Sequence, residues 1–326
     1  MPTDPLRLGT RGSQLALYQA RSVATQIAQA GGPSCELVII KTSGDRLQDA
    51  PLSEIGGKRL FVKEIEDALQ RHEIDLAVHS SKDMPAVLAE GLIIAGTLAR
   101  EDPHDAVVLP ATARAAHSLE ELTAILGDAP NIGTSSVRRI AQLTRLFPNA
   151  HFAPIRGNLD TRLRKLDAGE HGALVLAAAG LRRLGFAGRI AFALPVSACV
   201  PAPGQGIIAI EIRTGDERVA QAVSAVTDAV AALALDAERA VVEALGGGCQ
   251  TPIGALATPI RNDEIELLAA VTALDGSRMV RTVVRGKRAD ARGLGARAAQ
   301  DLLEQGAGDI LEDARRANAQ NDHRSP

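Results

Sequence analysis

Two stretches of the chain carry residues fit for chemistry. The first is Gly246-Gly-Gly-Cys-Gln-Thr-Pro252. Three glycines let the backbone turn where a Cβ would resist, and Pro252 stiffens the exit. Cys249 is therefore expected on a loop and not on a helix face. A nucleophilic cysteine wants a helix N-terminus or a neighbouring cation to lower its pKa. Cys249 instead follows a predicted helix over 228–245, whose C-terminal end disfavours a thiolate. No His lies between Asp236 and Cys249. These features argue against a Cys/His hydrolase and for a sulfur that carries a group permanently. The plainer alternative is a thiol packed as a small hydrophobe, but a glycine-rich loop gives it little surface to pack against.

The second stretch is His79-Ser-Ser-Lys-Asp-Met-Pro85, which sets Asp83 beside Lys82 directly after an apolar strand. Around it the sequence distributes cations by position: Arg11, Lys58, Lys82, Arg138, Arg139, Arg156, Arg162 and Arg183 mostly follow a predicted strand or open the next helix. In an open α/β sheet those positions line the crevice at the carboxyl ends of the strands. Free N–H groups at helix starts after Ser13 and at Ser135 and Ser136 add positive potential. Arginine's planar fork suits carboxylates. The pattern implies a cleft for a ligand with several carboxylates or phosphates, with Asp83 placed to stabilise a cation developing on it. Each arginine alone reads equally as a solvated surface charge, and Asp83 alone as a turn former. Ser80 and Ser81 either bind a ligand or shape the turn, and His79 closes the strand as a structural residue. Nucleotide signatures are absent: Gly9-Thr-Arg-Gly12 lacks the dinucleotide spacing, and no phosphate-loop motif occurs.

The elements that must position these groups alternate. Strands are expected over 6–9, 36–41, 74–79 and 92–98, with helices from Ser13 and over 61–71, which describes an α/β unit with a mostly parallel sheet. A second such unit begins near residue 100, with a capping box at Ser118-Leu-Glu-Glu121 and strands near Ile132, 151–155 and 173–176. The run 207–212 is placed to return to the first sheet. The last part differs: strands over 265–274 and 278–285 joined at Asp275-Gly276, a helix over 289–304, and a polar tail after Arg316 that reads as disordered. The polar stretch 42–59 is expected as a mobile loop.

Composition bounds the function. The chain has 326 residues, 46% hydrophobic and 23% charged, which suits two or three globular domains. A net charge of −3 and 2% aromatic content give no basis for nucleic-acid binding or for attraction to an anionic membrane. Three widely spaced cysteines, Cys35, Cys199 and Cys249, fit neither a disulfide framework nor a zinc site. No metal is expected. With no leader-like N-terminus and no long apolar run, the chain reads as cytoplasmic.

These segments resemble porphobilinogen deaminases, also called hydroxymethylbilane synthases. The resemblance rests on Gly9-Thr-Arg-Gly-Ser13, Gly56-Gly-Lys-Arg-Leu-Phe-Val-Lys-Glu64, Ala77-Val-His-Ser-Ser-Lys-Asp-Met-Pro85 and Gly133-Thr-Ser-Ser-Val-Arg-Arg139. It continues through Ile155-Arg-Gly-Asn158, Ala179-Gly-Leu-Arg-Arg-Leu-Gly185, Pro203-Gly-Gln-Gly206 and Gly246 to Gly254, in family order over nearly the whole chain. It implies two doubly wound α/β domains similar to two-lobed anion-binding proteins, plus a smaller α+β C-terminal domain. The expected division is 1–99 with 204–224, then 104–199, then 228–326. It implies that four porphobilinogen molecules are joined head to tail with loss of ammonia, and that water releases linear hydroxymethylbilane. It further implies a dipyrromethane cofactor in thioether linkage to Cys249, and Asp83 as the catalytic carboxylate. Lys82, Ser136, Arg138, Arg139 and Gly157 match cofactor-binding positions. Arg11, Ser13, Lys58, Phe61, Ser80, Arg156, Arg162, Arg183 and Gln205 match substrate-binding ones, Lys58 and Phe61 on a mobile loop. Glu54 and Arg59 depart from the family's usual loop residues. A monomer is expected. The competing readings are a two-lobed receptor without chemistry, which the cleft alone fits equally well, and a plain thiol enzyme; the mass of a covalent cofactor separates both from the family reading.

Overall fold

The computed structural model describes residues 4–43, 62–248 and 251–322. The loop carrying Lys58 and Phe61, with Glu54 and Arg59, lies outside the described residues, as does Cys249 itself.

The first sheet contains β1 (Leu6–Thr10), β2 (Cys35–Ile39), β3 (Leu76–Ser80), β4 (Leu92–Thr97) and β10 (Ile208–Arg213), in the order β2-β1-β3-β10-β4. The second contains β5 (Asp105–Val108), β6 (Asn131–Gly133), β7 (His151–Ala153), β8 (Ala173–Ala177) and β9 (Phe192–Ala193), in the order β7-β6-β8-β5-β9. Each sheet has three parallel strands followed by an antiparallel one, β10 beside β3 and β5 beside β8. Because β4 and β9 also run with the parallel strands, four of the five strands in each sheet are parallel, as expected, and the one reversed strand follows from the connectivity. The chain leaves the first sheet after β4 and returns as β10. Both crossing strands, β5 and β10, enter their sheets from the side facing the other lobe, so they run against the strands that start at the far side.

Helices cover the sheets where the 3.6-residue pattern foretold them. Helix α1 (Gln14–Gln29) starts at Ser13, whose Oγ accepts from the Ala16 amide at 3.3 Å, and buries Ala20, Val23 and Ile27 against the alternate residues Leu6, Leu8, Leu76 and Val78. Helix α2 (Lys63–Gln70) covers the other face. The second lobe repeats the plan with α3 (Leu119–Leu126), α4 (Val137–Leu146), α5 (Leu159–Asp167) and α6 (Ala178–Arg183). Helix α7 (Glu217–Ser224) then packs back on the first sheet.

The C-terminal unit is a three-stranded antiparallel sheet, β11 (Ile253–Pro259), β12 (Glu264–Thr272) and β13 (Met279–Lys287). Helices α8 (Ala229–Ala244), α9 (Ala291–Glu304) and α10 (Ala307–Asp322) pack with it around one core. Strand β11, which follows the Cys249 loop directly, was not expected. The tail is also corrected: residues past Arg316 continue α10, because Ala307, Ile310, Leu311 and Ala314 bury one face of that helix and carry its last turns. Among the described residues no single helix is long and apolar enough to cross a membrane.

The two crossings lie against each other. The Glu101 amide donates to Gly206 O at 3.0 Å and the Leu98 amide to Ile208 O at 3.1 Å. Gly206 sits at φ 87°, and a Cβ there would overlap Glu101 O, so only glycine permits this approach. Glu238 of α8, fully buried, joins the third unit to the crossings. It takes Arg100 Nη1 at 2.5 Å, the Gly204 amide at 2.6 Å and the Ala257 amide at 2.7 Å. A buried carboxylate holds this many donors only where its charge is matched, and Arg100 supplies the match.

Candidate active site

The parallel strands β1 and β3 end at Thr10 and Ser80, and β6, β7 and β8 at Gly133, Ala153 and Ala177. On these carboxyl edges stand Arg11 and Ser13, Ser80 to Asp83, Ser136 to Arg139, Arg156 and Gly157, and, at the end of α6, Arg183. A 3-10 turn, Ser81–Asp83, follows β3 directly. It leaves Asp83 exposed and Lys82 half-buried.

The lobes meet through Lys82. Its Nζ donates to Gln205 Oε1 at 3.3 Å, and Gln205 Nε2 donates to Asp105 Oδ1 at 3.0 Å and to Pro103 O at 2.7 Å. Asp105, at the start of β5, has no exposed surface. Arg138 holds it through Nη1–Oδ2 at 2.7 Å and Nη2–Oδ1 at 3.2 Å, while Arg139 Nε donates to Oδ1 at 2.8 Å. Burial by itself would raise the Asp105 pKa, but the two guanidiniums overcome it and hold the carboxyl well below the usual range. For Lys82, protein crowding the ammonium lowers its pKa first and Arg139 adds to this. Asp83 and Asp105 oppose the shift, and the result is about 8. Burial also lowers the pKa of Arg162, with Arg139 adding, while Asp83 raises it. Arg162, Arg139, Asp83 and Lys82 thus share one electrostatic neighbourhood.

The remaining sequence-selected residues take definite places. Ser136 caps α4, its Oγ accepting from the Arg139 amide at 3.4 Å. Gly157 turns the chain at φ 102° and its carbonyl accepts Arg162 Nε at 2.8 Å. Arg183 reaches the crossings, Nη2 donating to Gly206 O at 2.7 Å. Ser80 Oγ takes Gln19 Nε2 at 2.8 Å. His79 is structural as read, its Nε2 3.0 Å from Glu211 Oε2 in the buried face of the sheet. The sequence reading missed Asp105, Arg100, Glu238 and Arg239. An acid at the head of the apolar run Ala106-Val-Val-Leu109 was the available signal for Asp105. Arg239 of α8 donates from Nη2 to Ala86 O at 2.7 Å, tying the third unit to the loop after Asp83.

One cavity lies where all three units meet. Ser81 and Lys82 come to it from the first lobe, Ser136 and Arg138 from the second, and Gly248 and Thr251 from the third. The last two flank Cys249 on either side, at the loop's fixed ends. The arrangement suits a carboxylate-bearing group: two cations and the N-cap of α4 line it.

Comparison with known proteins agrees. The model of the porphobilinogen deaminase dipyrromethane cofactor binding domain matches residues 6–221, and that of the porphobilinogen deaminase C-terminal domain residues 232–304. The porphobilinogen deaminase of Moorella thermoacetica is 45% identical over 312 residues, covering 95% of this chain and 96% of that one. That of Brevibacillus brevis is 44% identical over 315 residues, covering 96% and 99%. A solved structure, the Bordetella pertussis BvgS periplasmic VFT2 domain, is 16% identical with a TM-score of 0.40 over 68% of this chain and 86% of that one. That likeness is too loose to carry weight. The two family models follow one another along the two lobes and the Cys-loop unit, and relatives match nearly end to end, so the chain belongs to the porphobilinogen deaminase family.

Proposed function

We propose that the cleft between the lobes is where this transferase joins four porphobilinogen molecules into hydroxymethylbilane, with Asp83 as its catalytic carboxylate and Cys249 as the attachment point of its dipyrromethane. The carrying observation is the cavity at the junction of three units, lined both by the cations Lys82 and Arg138 and by Gly248 and Thr251, the described residues before and after Cys249. When bound, dipyrromethane supplies the pyrrole end from which the product is extended.

Each substrate carries acetate and propionate groups, and the residues on the two carboxyl edges act on them. Lys82, Ser136, Arg138, Arg139 and Gly157 hold the cofactor's acids. Arg11, Ser13, Ser80, Arg156, Arg162, Arg183 and Gln205 orient the incoming ring, and Lys58 and Phe61, outside the described residues, belong to the same substrate-binding set. The contacts to Asp105 divide this labour. Arg138 and Arg139 spend most of their donors on Asp105, Val175 O and Val200 O, so they supply a rigid positive wall. Lys82 and Arg162, less committed, are the better grips. When ammonia leaves the aminomethyl group, the pyrrole and its methylene become electron-poor. Asp83, exposed beside Lys82, stabilises the charge that the surrounding cations would oppose.

The chain divides for this work as 1–99 with 204–224, 104–199 and 228–326, which the three separate sheets support. Described residues from all three units of one chain line the same cavity, supporting a monomer, and the free thiols of Cys35 and Cys199 support a reducing, cytoplasmic setting. Intact mass is the test. The purified chain should exceed its sequence mass by two linked pyrrole units, and Cys249→Ser should not. A bare wild-type mass in protein that consumes porphobilinogen overturns the attachment.

A further inference from the structure

Ser81 is 3% exposed, and its Oγ has no hydrogen-bond partner among the described residues although it lines the three-unit cavity. A buried hydroxyl without a partner forfeits the hydrogen bonds it makes in water, which costs free energy. The backbone fixes the side chain's position. Ser81 N donates to Ile207 O at 3.0 Å, and its carbonyl accepts the Met84 amide at 3.1 Å, so the 3-10 turn is held at both ends. Gly204 walls the hydroxyl on one side: a Cβ there would stand 2.5 Å from Ser81 Oγ and 3.0 Å from its Cβ. Gly204 is itself pinned through its amide to Glu238. Two cations of the same lining, Lys82 and Arg138, bring positive charge to the cavity and carry no acceptor for a hydroxyl proton. An occupant selected by those cations is an anionic oxygen, and a hydroxyl beside one satisfies itself by donating.

We propose that Ser81 Oγ is a further binding group of this site, donating a hydrogen bond to a carboxylate oxygen of the group held at Cys249. This rests on the function proposed above. Lys82 and Arg138 neutralise that carboxylate, and Ser81 fixes its orientation from the buried side.

The test compares Ser81→Ala with wild type, each with and without Cys249→Ser, so that loaded and unloaded forms are both measured. Loading is checked by intact mass and stability by thermal unfolding. Without cofactor, Ser81→Ala should be as stable as its Cys249→Ser parent or slightly more so, because it removes an orphaned hydroxyl. With cofactor, the gain in Tm on loading should be smaller in Ser81→Ala than in wild type, by about 2 °C or more. Lost cofactor on prolonged assembly from porphobilinogen should follow, with reconstitution roughly ten-fold weaker. An equal Tm gain and equal reconstitution in both backgrounds overturn the Ser81 assignment. If wild type itself neither carries the added mass nor gains stability, the function proposed above fails instead.

Discussion

Arg138 and Asp105 form a fork-on-fork pair, Nη1–Oδ2 at 2.7 Å and Nη2–Oδ1 at 3.2 Å, with both side chains almost wholly withdrawn from water. The pair changes what a substitution at Arg138 should do. Removing one member of a buried ion pair strands the other charge, which costs about 3–5 kcal/mol. Asp105→Asn should therefore lower thermal stability strongly, since it leaves two guanidiniums facing each other. Arg138→Leu should lose both stability and cofactor loading. Arg156→Leu, on a half-buried turn residue, should weaken porphobilinogen binding roughly ten-fold with little change in Tm. Unfolding curves and KM for the three variants check the split. An Asp105→Asn protein as stable as wild type would contradict the pair.

Much of this site was legible in the sequence because parallel α/β sheets put functional groups at strand ends. Ser13, Asp83, Ser136 and Arg156 could be placed from strand and helix periodicity alone. The inward turn of Arg138 and Arg139 could not, because it depends on Asp105, 33 residues away from Arg138 and on another strand. For the same reason the reversed direction of β10 was not legible and β5 was not expected at all: local pattern encodes burial, whereas direction comes from the two crossings between lobes. Strand β11 was hidden because Pro252 and Gly254 read as loop, although pairing with β12 overrides that preference. The end of α10 was lost to its polarity, since only its first turns carry the burying face.

Gly206 tests the crossings directly. Its φ of 87° is left-handed, and a Cβ would overlap Glu101 O. Gly215 has a similar φ of 82° with nothing near its missing Cβ, so it isolates the backbone term. Gly215→Ala should cost about 1–2 kcal/mol, and Gly206→Ala distinctly more, because the two crossings must part. Denaturant midpoints for both variants measure the difference. Equal losses would show that the contact between crossings is slack.

Lys82 gives pH two opposite effects. Its pKa falls to about 8 in the folded chain, first through burial and then through Arg139, against 10.5 as the reference value. The unfolded chain thus binds more protons between those values, so this group makes stability rise as pH climbs from about 8 to 10.5. The penalty is fully present below pH 8. Carboxylate binding moves the other way, because it needs the ammonium. Reconstitution with the dipyrromethane cofactor, read by intact mass, should weaken above about pH 8, and Lys82→Met should flatten both trends. Reconstitution that stays level through pH 9.5 in wild type would remove Lys82 from the grip on the cofactor.

Asp83 is the residue on which the chemistry depends. It stands at the end of the turn that follows β3, exposed, with Lys82 beside it and Arg162 within its field. Cations are needed to hold the acids of each pyrrole, yet departure of ammonia and the coupling that follows both develop positive charge at the reacting carbon. The field that binds the substrate therefore opposes its reaction, unless a carboxylate stands near that carbon. Asp83→Asn keeps the size and much of the hydrogen bonding while removing the charge. Binding should survive, and ammonia release in a single turnover should fall by roughly 10²–10³-fold or more. Asp83→Glu retains the charge at a displaced position and should keep part of the rate. Loading must be confirmed by intact mass, so that a failure of cofactor assembly is not taken for a failure of catalysis. A loaded Asp83→Asn enzyme releasing ammonia at the wild-type rate would reduce Asp83 to a turn residue, and the stabilising charge would then have to come from elsewhere in the cleft.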